Sequence, residues 1–299
     1  MQLTGIITAM VTPFDDNQKI DVPATKALVN QLIRSHVNGL FILGTNGEFH
    51  VMARDEKIQF AKIVIEETNK RVPVCVGVGG NSTREVVELS KAMTAIGADV
   101  LSVITPFFIS LTEEELYHHY AVIAASVSLP IVLYNMPKNT GINISTDLVK
   151  RMAKIPNIIG IKDSSGDIAN IKSYIEATKK EDFVVLSGSD SLILKALDEG
   201  AAGAIAATSN ILTNINVSIY QHWLKKEKNK AEEAQQSLEE LRGILKLASI
   251  PAVLKKAMAI AGTPVGPARY PVLPPSEAAI QEIEAAVKAY QKKHAALAN

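Results

Sequence analysis

Apolar residues along the chain fall into two alternating kinds of segment. Short, almost continuously hydrophobic runs rich in β-branched residues occupy 5–9, 39–43, 72–76, 100–104, 131–134, 158–162, 183–186 and 203–206, with Ile131-Val132-Leu133 and Ile158-Ile159-Gly160-Ile161 as typical examples. A strand without polar alternation expects cover on both faces, as parallel strands have beneath crossover helices. Between these runs, 24–35, 54–68, 83–96, 113–125, 145–153, 168–177 and 191–199 carry Leu, Ile, Val and Ala on one face and Asp, Glu, Lys and Arg on the other. That is the periodicity of amphipathic helices. Strand and helix units repeating every ~20–35 residues predict an α/β fold of the (β/α)8 TIM barrel type, with a doubly wound open sheet as the structural alternative.

Local signals support the same punctuation. Ser82 with Glu85, and Thr112 with Glu115, have the spacing of helix N-caps. Gly97 and Gly200 are placed to stop helices before the next strand. After Ala206 the strand pattern ends, and 215–227, 231–247, 251–261 and 276–296 read as helices, the last following the Pro-rich stretch 270–275. No flexible Gly/Ser linker interrupts the chain. Residues 1–222 are therefore expected to form the barrel, and 223–299 a C-terminal helical extension packed on it.

Composition narrows the function classes. The 31 Lys and Arg balance 31 Asp and Glu for a formal net charge of +0, which gives no support for a nucleic-acid or anionic-membrane partner. The chain has no uninterrupted membrane-length apolar run, and its first residues lack a basic start followed by an apolar segment and cleavage site. The expectation is a soluble cytoplasmic protein. The single cysteine, Cys75, sits in the apolar run Val74-Cys75-Val76 and reads as a buried structural thiol. His50, His118 and His119 lack the spacing of a zinc framework, so no metal is expected.

In a (β/α)8 barrel, residues just beyond the C-terminal ends of different strands face one site. Here these are Thr8, Thr45 and Asn46, Thr105 with Phe107 and Phe108, Tyr134, Lys162, Gly188 and Ser189, and the segment 206–209. An ammonium at the end of the apolar strand 158–162 must reach solvent, pair with a carboxylate or give up its charge. A neutral amine there can attack a ketone, and the resulting protonated imine accepts the electron pair of a breaking carbon–carbon bond, as in class I aldolases. The alternative is a structural salt bridge from Lys162 to Asp163 or to a helix carboxylate. The loop Gly44-Thr45-Asn46-Gly47-Glu48 can offer N–H groups and a hydroxyl to a carboxylate, or it can be a plain strand-to-helix turn. It is neither a P-loop nor a dinucleotide fingerprint. Glu48 fits a loop-fixing role better than acid catalysis. Tyr134 can relay a proton with Thr45 as partner, or serve as an aromatic at the edge of the core.

Taken in order, Gly44-Thr45-Asn46-Gly47-Glu48, Thr105-Pro106-Phe107-Phe108, Tyr134-Asn135-Met136-Pro137 with Thr140-Gly141, Gly160-Ile161-Lys162-Asp163 and the stretch 262–269 carry a resemblance over nearly the whole chain. The chain resembles the dihydrodipicolinate synthase and N-acetylneuraminate lyase family of pyruvate-handling barrels. The resemblance implies that Lys162 forms an imine with pyruvate or a pyruvate-derived 2-oxo acid, that Tyr134 transfers protons, and that Thr45 and Asn46 hold the carboxylate end. It also implies further lining at Gly188 and the Ala206 backbone, no cofactor, and a homo-oligomer, tetramer or dimer.

Two departures bear on substrate. Family members that use aspartate semialdehyde carry an arginine before the Thr-Gly pair, where this chain has Asn139, and synthase members carry a tyrosine donated across a subunit interface, where it has Phe108. An amide is a weaker carboxylate receptor than a guanidinium. These departures favour cleavage of a 2-keto-3-deoxy sugar acid, or of a short hydroxy-oxo acid such as 4-hydroxy-2-oxoglutarate, with Asn139, Ser165, Asp190 and Ser209 as candidate contacts to substrate hydroxyls. The alternatives are N-acetylneuraminate lyase, 4-hydroxy-tetrahydrodipicolinate synthase and a non-enzymatic 2-oxo-acid binding or sensory protein.

Overall fold

A computed structural model describes residues 3–294. Eight parallel strands close on themselves in sequence order: β1 (Gly5–Ala9), β2 (Gly39–Ile42), β3 (Val74–Gly77), β4 (Val100–Ile104), β5 (Ile131–Asn135), β6 (Ile158–Asp163), β7 (Val184–Ser187) and β8 (Gly203–Ala206). β8 pairs with β1, where Thr8 registers with Ala206, so the barrel leaves no open edge. Helices α1 (Val22–Arg34), α2 (Arg54–Thr68), α3 (Thr83–Ala95), α4 (Glu113–Ser126), α5 (Pro137–Thr140), α6 (Thr146–Met152), α7 (Ile168–Thr178), α8 (Ile193–Asp198) and α9 (Thr213–Leu224) lie between and after the strands. Three more follow: α10 (Lys228–Arg242), α11 (Ile250–Ile260) and α12 (Glu277–His294). Of the helix expected over 276–296, residues 295–296 lie outside the described residues.

The continuous apolar runs are explained by two cores on opposite faces of the strands. Ile7, Phe41, Cys75, Val100, Val132, Leu186 and Ile205 fill the barrel interior. Ile6, Leu40, Ile42, Val74, Val76, Leu101, Leu133 and Ile161 point outward into a layer shared with the helices. Each fully buried branched side chain contributes roughly 1.5–3 kcal/mol. A third cluster, Leu212, Leu241, Ile244, Val253, Ala257, Ile283, Val287 and Tyr290, joins the C-terminal helices to the segment after β8.

Helix caps form where expected. Ser82 accepts from the Glu85 N–H at 3.4 Å, and Thr112 and Glu115 form a reciprocal capping box. Gly97 and Gly200 take φ values of 90° and 103°, which a side chain would oppose. Boundaries move where chemistry requires. β3 starts at Val74 rather than 72, because Pro73 has no N–H for the ladder and contributes only its carbonyl, to Leu40 N at 3.0 Å. The helix expected over 231–247 divides at Gly243 into α10 and a 3-10 turn, Gly243–Lys246. Helix α5 was not apparent in the pattern, being one turn started by Pro137.

Candidate active site

Register brings the candidate residues together. Tyr134 on β5 pairs directly with Lys162 on β6, and Lys162 with Leu186 on β7. Side chains alternate along a strand, so Lys162 and Ser164 face the barrel mouth while Asp163 and Ser165 face the helices. Lys162 is 4% exposed. Its Nζ lies 4.0 Å from the Tyr134 ring centre and 4.5 Å from that of Phe41, a cation–π setting between two aromatic walls. The salt-bridge alternative does not form: Asp163 is taken up by Asn135 (2.7 Å), Asn170 (2.9 Å) and Ser165 (2.6 Å). Among the described residues no carboxylate stands within ion-pair reach of Lys162. Burial raises the Asp163 carboxyl above its ordinary range, against those hydrogen bonds.

The Tyr134 hydroxyl lies 3.2 Å from Thr45 Oγ1. Burial by itself would raise this phenol, but the Lys162 charge, with hydrogen bonds to Thr45, Lys162 and Ser164, holds it below its ordinary value. A buried phenol next to an amine and a hydroxyl can pass protons in both directions. Lys162, Tyr134, Thr45, Asn46, Ser164 and Gly188 line a cavity of about 110 Å³. Gly188 is required by space: a Cβ there would stand 2.0 Å from Ser164 Oγ and 3.0 Å from Lys162 Cε.

The loop after β2 is anchored from behind. Thr12 donates to the Gly47 carbonyl at 2.7 Å. Glu48, left-handed at φ 57°, turns away from the cavity into a buried ion pair with Lys255 of α11 at 2.6 Å and accepts from Arg269 N at 2.8 Å. Burial pushes the Lys255 ammonium down to about 8, opposed by Glu48. Glu48 is thus a loop anchor.

Several substrate candidates lie outside this cavity. Ser209, fully buried, shares a 2.7 Å hydrogen bond with Thr8. Asp190 accepts from Ala207 N (3.1 Å) and Thr208 N (2.7 Å), shaping the loop after β8. Ser165 is spent on Asp163. Asn139 is exposed on α5. At β8, Ile205 and Ala207 line the cavity, whereas Ala206 packs into the helix-facing layer; a one-residue step reverses the face. Phe108 is 92% exposed at a φ of 83° and is not part of the cavity within this chain. Ser164, Leu245 and Ile250 line the cavity and were not anticipated. Alternation from Lys162 would have located Ser164, but nothing local signals the other two. Cys75 is buried, its thiol pushed up to about 12 by burial. Among the described residues no group of three or more His, Cys, Asp or Glu is placed to hold a metal ion, and no helix is long and apolar enough to cross a membrane.

Comparison with known proteins returns consistent matches. The profile of the dihydrodipicolinate synthetase family matches residues 2–290. The chain is 36% identical to 4-hydroxy-tetrahydrodipicolinate synthase 1 of Halalkalibacterium halodurans, over 96% of this chain and 97% of that protein. It is 35% identical to 4-hydroxy-tetrahydrodipicolinate synthase of Archaeoglobus fulgidus, over 96% and 98%. Among solved structures, dihydrodipicolinate synthase DapA-2 of Bacillus anthracis superimposes with a TM-score of 0.94 at 35% identity, covering 97% of this chain and 99% of that one. YagE, a prophage protein of the dihydrodipicolinic acid synthase family from E. coli solved with pyruvate, gives 0.95 at 33% identity and the same coverage.

Proposed function

Because the chain belongs to the dihydrodipicolinate synthetase family, we propose that it is a Schiff-base-forming, class I aldolase-type enzyme that joins pyruvate to an aldehyde or splits the corresponding 4-hydroxy-2-oxo acid into the two. The single observation that carries this reading is Lys162, buried without a carboxylate partner and set against the phenol of Tyr134. Once the ammonium has given a proton to the Tyr134–Thr45 relay, the Lys162 nitrogen lone pair adds to the C2 ketone and water leaves, giving an iminium. Loss of a C3 proton yields the enamine, whose C3 attacks the aldehyde carbon. The new alkoxide takes a proton through Tyr134, with Thr45 as relay partner. Water then hydrolyses the imine, or, where the aldehyde carries an amino group as aspartate semialdehyde does, that amine attacks the iminium carbon, closes the ring and releases Lys162 as the free amine. Cleavage is the reverse: the C4 hydroxyl loses its proton and the C3–C4 electron pair enters the iminium. Thr45, Asn46 and the anchored loop hold the 2-oxo acid's carboxylate, and the barrel supplies fixed geometry for these groups.

For the second reactant, the names borne by the relatives favour 4-hydroxy-tetrahydrodipicolinate synthesis, with aspartate semialdehyde as the aldehyde, over the sugar-acid cleavage expected from sequence. Asn139 and Phe108 support cleavage of a 2-oxo-3-deoxy sugar acid or 4-hydroxy-2-oxoglutarate as a second reading. A homo-oligomer goes with either reading.

Treatment with pyruvate and borohydride tests the chemistry. The expected result is a stable adduct mapped by mass spectrometry to Lys162 and absent from Lys162→Ala; an adduct elsewhere, or none, refutes the proposal. A panel of aspartate semialdehyde, 4-hydroxy-2-oxoglutarate and 2-oxo-3-deoxy sugar acids then decides between the readings.

A further inference from the structure

A second cavity, of about 710 Å³, adjoins the lysine pocket, and Leu245 and Ile250 line both. Its walls come from parts of the chain far apart in sequence: Lys138 on α5, Glu239 and Arg242 at the end of α10, Lys246 on the following 3-10 turn, and Ser249 before α11. Three cations therefore face one carboxylate. Glu239 is bound to Arg242 at 3.2 Å with both side chains partly exposed, and such a pair is weak enough to open for a better anion. Lys138 and Lys246 are exposed, with no carboxylate in ion-pair reach among the described residues. Ser249 caps α11 without spending its side chain on the helix.

We infer that this cavity is the subsite for an anionic end, carboxylate or phosphate ester, of the aldehyde that reacts with the Lys162 enamine. The inference rests on the proposed function and deepens it. Asn139 provides no charge for a second anion, but Lys138 beside it lines a cavity that also receives Arg242 and Lys246. The apolar threshold of Leu245 and the 41%-exposed Ile250 separates the reacting carbon from the charged wall. An aldehyde several bonds long can thus place its carbonyl by Lys162 and its anion among the cations. A guanidinium offers paired donors to either oxyanion.

Aldol addition to pyruvate would be followed with matched aldehydes: neutral glyceraldehyde, carboxylated aspartate and succinate semialdehydes, and phosphorylated glyceraldehyde 3-phosphate. The wild-type enzyme is expected to favour at least one anionic aldehyde over the neutral one in kcat/KM. In Lys138→Ala, Arg242→Gln and Lys246→Met that ratio is expected to fall about tenfold or more each, mainly through KM. The carboxylate and phosphate arms separate the two kinds of anion. A wild-type preference for glyceraldehyde, or ratios unchanged in all three variants, overturns the subsite. Borohydride trapping of pyruvate on the wild-type enzyme separates the two failures: an adduct at Lys162 with unchanged ratios sinks only the subsite, whereas no adduct sinks the proposed function as well.

Discussion

Tyr134 is buried, yet its phenol is held below its ordinary value by the Lys162 charge and hydrogen bonds with Thr45, Lys162 and Ser164. The sign matters for rate: an acid of lowered pKa ionises sooner as pH rises, so a step that needs the protonated phenol loses rate at a lower pH than free tyrosine would suggest. Tyr134→Phe is expected to lower kcat by roughly 10²–10³-fold, with a smaller change in KM, and to abolish the alkaline limb of the kcat profile. Steady-state kinetics across pH checks both; a retained limb would assign it to another group. Ala206 makes a complementary point at the same scale. Its place at a strand end was legible, but its pleat phase puts Ile205 and Ala207, not Ala206, on the cavity.

At the scale of elements, the loop after β2 depends on a helix more than 200 residues later. Glu48 and Lys255 are each 1% exposed and meet at 2.6 Å, and the Arg269 guanidinium stacks 4.2 Å from the Phe14 ring while binding Glu56. Removing one partner of a buried pair leaves an uncompensated charge, at a cost of about 3–5 kcal/mol. Lys255→Met is therefore expected to lose stability in that range, read as a lower urea midpoint. The double variant Glu48→Gln/Lys255→Met should recover much of it, because the lone charge is gone. Equal losses in single and double variants would mean that packing, rather than charge, dominates here. Loop anchoring by Glu48 was legible from its place after the glycines; its partner was not, since nothing in the local pattern at 251–261 marks Lys255 as interior.

For the whole molecule, acid stability has an identifiable contributor outside the site. His119 on α4 is 4% exposed and hydrogen-bonds Thr83 at 2.8 Å. Burial lowers it to about 4 from 6.5. Between those values the unfolded chain binds a proton that the folded chain refuses, so stability falls as pH drops through that window. The loss is on the order of 2 kcal/mol. Urea unfolding at pH 7 and pH 4.5 should show a smaller acid loss for His119→Gln than for wild type; equal losses would place the sensitivity in carboxylates instead.

Barrel topology was readable because it follows from local rules: doubly covered strands are apolar throughout, amphipathic helices alternate with them, and strand ends collect chemistry on one face. Lys162, Tyr134 and Thr45 were found that way, and the structure sets them side by side. Only the tertiary structure decided that Asp163 belongs to an outer amide network, that Asp190 and Ser209 serve loops, and that Leu245 and Ile250 border the lysine pocket. Periodicity carries the direction of a side chain within its own element. Which distant side chain meets it depends on how the closed barrel and the C-terminal helices pack, and no short stretch of sequence encodes that.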